Sequence, residues 1–356
     1  MTSLTPPAPA PRRRRAAFAA AAIALALLVP AATLLAVDVY LHRKYARSAG
    51  YNVWGYRGPI AGAKAPNEYR VVMLGGSTAY GYGVNADEAI PAVLERDLAR
   101  RSPRPVRVIN LAYNNEGVYS FVYTLRDYAY LDYDLVILYE GYNDLTIPAV
   151  PNLSVFRHES PVFRLTGYLP IFPIVFKEKA AAMLHGGDAG ALYRDSDKTV
   201  FRPGLAARVA AGALQATAEA GSAAERGLGH VATEPARAIR DSGRTGCSED
   251  WRHYCEPMRM AIEQALDRGK QVIVVTQPYV WLEGKSHERH VDQQTELAGM
   301  MTRLYASNRR VQYVNFGQVV DTRDTALSFD GMHLTPDGNR RVAAAFVAPV
   351  LRMVNR

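Results

Sequence analysis

Cysteine is nearly absent from this chain: Cys247 and Cys255 are the only two in 356 residues. That scarcity excludes a disulfide-stapled scaffold and a cysteine-built zinc fold. The two lie eight residues apart in a polar stretch, where an oxidising compartment would let them pair. Two unpaired thiols are the plain alternative, and a metal held by this pair with only His253 between them is disfavoured. A charge excess is also missing where it would matter. The formal net charge is +8, yet residues 1–50 hold Arg12, Arg13, Arg14, Arg15, Arg43, Lys44 and Arg47 against Asp38 alone, leaving 35 basic and 33 acidic residues in the remainder. No domain-wide basic field exists to follow a phosphate backbone, which argues against a nucleic-acid partner. Phosphate-loop spacing is absent as well, since no lysine follows the glycines in that register. The run Gly81-Tyr82-Gly83-Val84-Asn85-Ala86 starts too late after its strand, and the next strand lacks a terminal acidic residue for a ribose. No nucleotide, cofactor or metal is expected.

Long apolar runs are confined to one. Residues 16–37 follow the four arginines and are long enough, at roughly 1.5 Å per residue, to cross a ~30 Å hydrocarbon core. They read as an uncleaved signal anchor behind a basic cytoplasmic tail at 1–15, with a linker over 38–66. Arginine on the amino side orients the chain with its amino terminus in the cytoplasm, so the remainder faces outward. A cleaved signal peptide is the competing reading, because Val29-Pro30-Ala31 offers a small-residue cleavage site.

Beyond the linker there is no sign of a tandem repeat. Short apolar runs at 70–74, 106–111, 134–140, 271–276 and 311–315 predict strands, and helical spacing appears at 88–101, 119–131, 257–268, 293–307 and 336–353. Their alternation predicts an α/β fold: a three-layer sandwich with a parallel sheet of about five strands in flavodoxin-like order. The domain spans 67–356. An insertion of about 148–246 breaks the alternation, first with proline and aromatics at 151–173, then with an alanine-rich, helix-prone stretch at 205–238. The apolar part at 168–176 is too short and proline-broken to span a bilayer, and is expected to lie on the membrane, cap the site or pack on the sheet.

Three strand ends and one late loop carry chemistry. The first strand runs into Gly75-Gly76-Ser77-Thr78, which puts Ser77 at the carboxyl edge of the sheet, where open α/β folds build their sites. A serine hydroxyl needs a base and a group to orient that base, and Asp330-Gly331-Met332-His333 supplies both. The second strand leads to Gly117, whose amide is a candidate oxyanion donor, with the Asn115 amide as alternative. The third ends in Glu140-Gly141-Tyr142-Asn143-Asp144, which brings the Asn143 amide to the same edge. His158, His253, His287 and His290 lack a carboxylate at comparable spacing and read as surface or lid residues.

Together these blocks resemble the SGNH or GDSL hydrolases, a family of esterases, lipases, deacetylases and some acyltransferases, over roughly residues 50–354 with the insertion outside. Gly76 stands where the family name has aspartate, as in a membrane-anchored bacterial branch with a Gly-Gly-Ser-Thr first block. The resemblance implies Ser77 as nucleophile, His333 as base and Asp330 orienting the imidazole. It also implies an oxyanion hole from the Ser77 amide, the Gly117 amide and the Asn143 side chain. The expected protein is an inner-membrane, periplasm-facing serine esterase acting on an acyl ester, lipid or acetylated glycan. Transfer of the acyl group to an envelope polysaccharide is the alternative. A non-catalytic module binding glycan or a partner through the aromatics of 113–142 is the third reading.

Overall fold

The computed structural model describes residues 12–48, 50–145, 160–184, 204–232, 246–281 and 286–356. The chain divides into two compact units, Met1–Arg43 with Ile171–Glu219 and Lys44–Pro170 with Ala220–Arg356. The helices are α1 (Arg12–Lys44), α2 (Ser77–Tyr80), α3 (Ile90–Ala99), α4 (Phe121–Asp127), α5 (Pro161–Thr166), α6 (Phe172–Leu184), α7 (Leu205–Ala232), α8 (Arg252–Asp267), α9 (Ser286–Tyr305) and α10 (Pro336–Val354). The strands are β1 (Tyr69–Gly75), β2 (Val106–Asn110), β3 (Leu135–Tyr139), β4 (Gln271–Val275) and β5 (Val311–Val314).

In the second unit all five strands pair in parallel in the order β2-β1-β3-β4-β5, the doubly wound arrangement expected from the alternation. Strands β1 and β3 are buried at every position, so β3 reads as an unbroken apolar run and β1 as one from Val71, after a buried Arg70 that pairs with Glu68 (2.7 Å). Val71, Met73, Ile137 and Ile273 pack with Ile90, Leu94 and Leu98 of α3 and with Val342, Phe346 and Val350 of α10. Helices α4 and α8 pack together, touch β1 and β4 respectively, and bury Phe121, Leu125, Met258 and Ile262. Winding reverses between β1 and β3, and at such a switch point the loops leaving the carboxyl ends part and open a crevice.

Local differences have local causes. The helix expected over 119–131 stops at Asp127, and the chain turns at Asp132, whose φ of 47° is left-handed. Helix α8 begins at Arg252, with Pro257 inside it rather than at its start. Cys255, within α8, is joined by a disulfide to Cys247 upstream of the helix. Residues 50–58, read as linker, fold against β2: the Arg57 amide donates to the Asn110 carbonyl (3.0 Å), and Tyr56 and Arg57 are buried. No period marks this stretch, so nothing in its sequence announced a contact.

In the first unit, α1 runs for 33 residues, about 50 Å at the usual rise. Its Arg14–Lys44 portion contains an 18-residue window of mean hydropathy 2.4 and is long and apolar enough to cross a membrane. Asp38 caps a second helix there: its Oδ1 accepts from the Ile171 (2.8 Å) and Phe172 (2.5 Å) amides at the start of α6, while Oδ2 meets His42 Nε2 at 3.3 Å. The apolar segment 168–176 is thus split, for in the second unit the Leu169 amide donates to the Val53 carbonyl (2.9 Å). Of the insertion, 146–159, 185–203 and 233–245 lie outside the described residues, as does His158.

Candidate active site

Ser77 is the first residue of α2, a single turn that begins where β1 ends and closes at Gly81, whose φ is 88°. Both the Gly81 and Tyr82 amides donate to the Ser77 carbonyl at 2.9 Å. The turn is held from outside as well. The buried Arg57 guanidinium donates to the carbonyls of Tyr80, Gly81 (2.7 Å) and Val84 (2.6 Å), and the Asn110 side chain reaches the Ala79 and Tyr80 carbonyls. A cation at the carboxyl end of a helix meets its free carbonyls, so Arg57 acts as a cap supplied by another segment.

His333 precedes α10, whose N-cap Thr335 accepts the Gly338 amide (3.2 Å). Its Nε2 lies 2.8 Å from Ser77 Oγ, and its Nδ1 lies 2.7 Å from Asp330 Oδ2. Asp330 Oδ1 also accepts the amides of His333 (2.7 Å) and Met332 (3.0 Å). Partial burial pushes the Asp330 carboxyl up, but hydrogen bonds from the imidazole and these amides more than offset that, and it stays below its ordinary value. An ionised carboxylate only accepts, so Nδ1 carries the proton and Nε2 presents a lone pair to the serine hydroxyl. Ser328 fixes the loop by donating to the His333 carbonyl (2.9 Å), and the half-exposed Tyr82 ring lies 4.8 Å from the imidazole.

On the other side, the Asn143 side chain donates from Nδ2 to the Glu116 carbonyl (2.9 Å). One of its two hydrogens is used in that bond. Gly117 shares its peptide unit with this carbonyl and is buried, whereas Asn115 is exposed with φ 59°. A side chain at Gly117 would meet Asp144 Oδ1 at 2.6 Å. Among the described residues, no hydrogen bond from the Gly117 amide is found within the protein.

Three acidic side chains beneath this edge escaped the sequence reading. Glu116 accepts from Ser120 (2.6 Å) and Thr124 (2.9 Å), and Asp144 accepts the Val118 amide (3.0 Å). Glu140 accepts the amides of Gly76, Gly141 (2.9 Å) and Asn143 (3.2 Å). The only signal for Glu140 was a charge directly after five apolar strand residues. Burial, then the neighbouring Asp144, pushes Glu140 up to about 8, and burial pushes Asp144 up to about 7. Both folded values lie above the unfolded ones, so the stability they contribute is fully present below about pH 4 and is lost as pH rises through 7 and 8. Tm is therefore expected to fall by several degrees from about pH 5.5 to about pH 9, measured calorimetrically. A Tm that holds level or rises across that window would contradict the protonated pair.

His290 corrects the expectation of a surface or lid residue. It is fully buried, accepts the Val280 amide at Nδ1 (3.2 Å) and meets Gln294 at Nε2 (3.0 Å). Burial, and secondarily His287, pushes its pKa down to about 3, so it is a neutral core residue. His253 is part-buried against the Asp144 carbonyl (3.0 Å), and His287 stacks on Trp281.

The sequence model of the GDSL-like Lipase/Acylhydrolase family matches residues 73–341. No curated protein matches the chain. Among solved structures it is similar to the lipase/acylhydrolase from Enterococcus faecalis, with 13% identity, 80% of this chain and 95% of that chain covered, and a TM-score of 0.42. Esterase EstA from Pseudoalteromonas sp. gives 9%, 81%, 99% and 0.41. The Clostridium thermocellum family 3 carbohydrate esterase gives 11%, 80%, 98% and 0.40. With more than half its length matched by the family model and its strands in the doubly wound order, the chain belongs to the GDSL-like lipase/acylhydrolase family of serine hydrolases.

Proposed function

We propose that this protein is a membrane-anchored esterase that cleaves ester-linked acyl groups outside the cytoplasm through an acyl-Ser77 intermediate. The observation that carries the reading is the unbroken chain from Ser77 Oγ to His333 (2.8 Å) and from His333 to Asp330 (2.7 Å) at the carboxyl edge of the sheet. Ser77 Oγ attacks the ester carbonyl while His333 Nε2 takes its proton, and Asp330 stabilises the imidazolium that forms. Negative charge gathers on the former carbonyl oxygen, facing the Ser77 amide, the Gly117 amide and the free N–H of Asn143 Nδ2. One such donor is worth roughly 3 to 4 kcal/mol. Collapse breaks the bond to the alkoxy oxygen, which leaves with the proton from His333. Water then attacks the acyl carbon and gives a proton to His333, which returns it to Ser77 Oγ as the bond to the acyl carbon breaks, releasing the acid and free Ser77.

The anchoring reading rests on α1, with arginines on its amino side, and an outward-facing domain agrees with the Cys247–Cys255 disulfide. In a bacterial inner membrane this puts the hydrolase in the periplasm. A fluorophosphonate probe tests the nucleophile, because phosphonylation displaces fluoride only at an activated serine. Mass spectrometry is expected to find the adduct on the peptide containing Ser77. Folded protein that takes no label, or takes it elsewhere, removes the mechanism.

A further inference from the structure

The peptide before the nucleophile, at Gly76, has no side chain and no room for one. A Cβ there would come within 2.1 Å of Asn143 Nδ2, 2.5 Å of Glu140 Oε2 and 2.9 Å of the Glu116 carbonyl. The space is taken by the Asn143 amide and by the Glu140 side chain, which is sent across from the end of β3 and wholly buried. Its two oxygens divide their work. Oε1 accepts the amides of Gly141 (2.9 Å) and Asn143 (3.2 Å), the turn that carries the Asn143 side chain. Oε2 accepts the Gly76 amide, in the turn that carries Ser77. One carboxyl thus spans the switch-point crevice and joins the strand end bearing Ser77 to the strand end bearing Asn143. Oε2 keeps a lone pair free, so the bridge persists with a proton on that oxygen.

We propose that Glu140 is a positioning residue for the esterase: it sets the spacing between the Ser77 turn and the Asn143 amide, and so the fit of the oxyanion site. This rests on the acyl-serine reading above. Reactive geometry is sensitive on this scale, since a displacement of about 1 Å away from the chemistry costs roughly 100-fold in rate. Glu140 touches no substrate. Its effect is on a fit that matters most when charge has developed, so it should appear in kcat rather than KM.

The test compares three substitutions in the full-length protein. Glu140→Gln keeps the shape and the two bonds of Oε1, but turns an NH2 toward the Gly76 amide. Glu140→Asp keeps the carboxyl and withdraws it from Gly76. Tyr254→Phe removes a hydrogen bond to the backbone carbonyl of the same Glu140 (2.9 Å) and leaves its carboxyl alone. Both Glu140 substitutions are expected to lower kcat for p-nitrophenyl acetate roughly 10- to 100-fold, with KM within about twofold. The rate of fluorophosphonate labelling should fall with kcat. Tyr254→Phe is expected to lower Tm and leave kcat in place. The proposal is overturned if either Glu140 variant keeps kcat within about twofold of the parent. It is equally overturned if all three lose kcat in step with Tm, or if neither Glu140 variant folds, because the carboxyl then serves the core. Ser77→Ala in the same series separates the two levels. Activity surviving that change sinks the acyl-serine mechanism itself, whereas an inert Ser77→Ala beside an unimpaired Glu140→Gln sinks only the positioning role.

Discussion

Replacing Ser77 with alanine is expected to lower kcat for p-nitrophenyl acetate by at least roughly 10⁴-fold while leaving Tm within a few degrees of the parent. The two halves of that expectation come from the same geometry. Among the described residues Ser77 Oγ has one hydrogen-bond partner, the His333 imidazole at 2.8 Å, and it caps no helix, so its loss removes the attacking atom without unpicking the turn. His333→Ala should cost about as much, and the double substitution little more than either alone, because nucleophile and base act as one device. Some catalysis over water would persist through the oxyanion donors. A Ser77→Ala protein that keeps more than about a tenth of the parent rate would mean that another group attacks the ester.

Arg57→Met is expected to lower both stability and rate, although Arg57 lies outside the 73–341 match. Its guanidinium serves the carbonyls of Tyr80, Gly81 and Val84 together and lies 4.1 Å from the centre of the Tyr80 ring. Methionine fills similar space and donates nothing, leaving the Gly81, Val84 and Ser48 carbonyls short of a partner at about 1 kcal/mol or more each, while the Tyr80 carbonyl keeps Asn110. A total near 3 kcal/mol corresponds to roughly 6 to 12 °C in Tm for a domain of this size. Loosening the carboxyl end of a four-residue helix should also move Ser77 at its amino end, with kcat falling at least about tenfold. Arg57→Lys should recover little of this, since an ammonium cannot present the planar fork that reaches three acceptors. Thermal melts beside steady-state kinetics on both variants decide the matter, and a normal kcat in Arg57→Met would confine Arg57 to stability.

The contrast between Ser77 and Arg57 shows where sequence reading works. Strands β1, β3 and β4 are covered on both faces, so burial wrote itself into the apolar runs 71–74, 135–139 and 272–275, and the order of those runs implied the sheet. Ser77, Asn143, Asp330 and His333 sit at strand ends or beside a helix start, where glycine and Asx residues punctuate the chain. Arg57 and Glu140 carry no such mark. Each is a charged residue that is buried because of atoms far away in sequence: backbone carbonyls of residues 80–84 for one, the Gly76 amide for the other. Tertiary partners of this kind obey no local period. His290 misled for the same reason, its satisfaction coming from the Val280 amide and Gln294 rather than from a spaced carboxylate.

Gly76 also bears on how this enzyme can change. A side chain at 76 collides first with the Asn143 amide, at 2.1 Å, and then with the Glu140 carboxyl and the Glu116 carbonyl. Shrinking residue 140 relieves only one of these contacts and leaves the Gly76 amide without its acceptor. Residues 76, 140 and 143 are therefore tied together, and a library that varies one of them at a time samples impaired proteins.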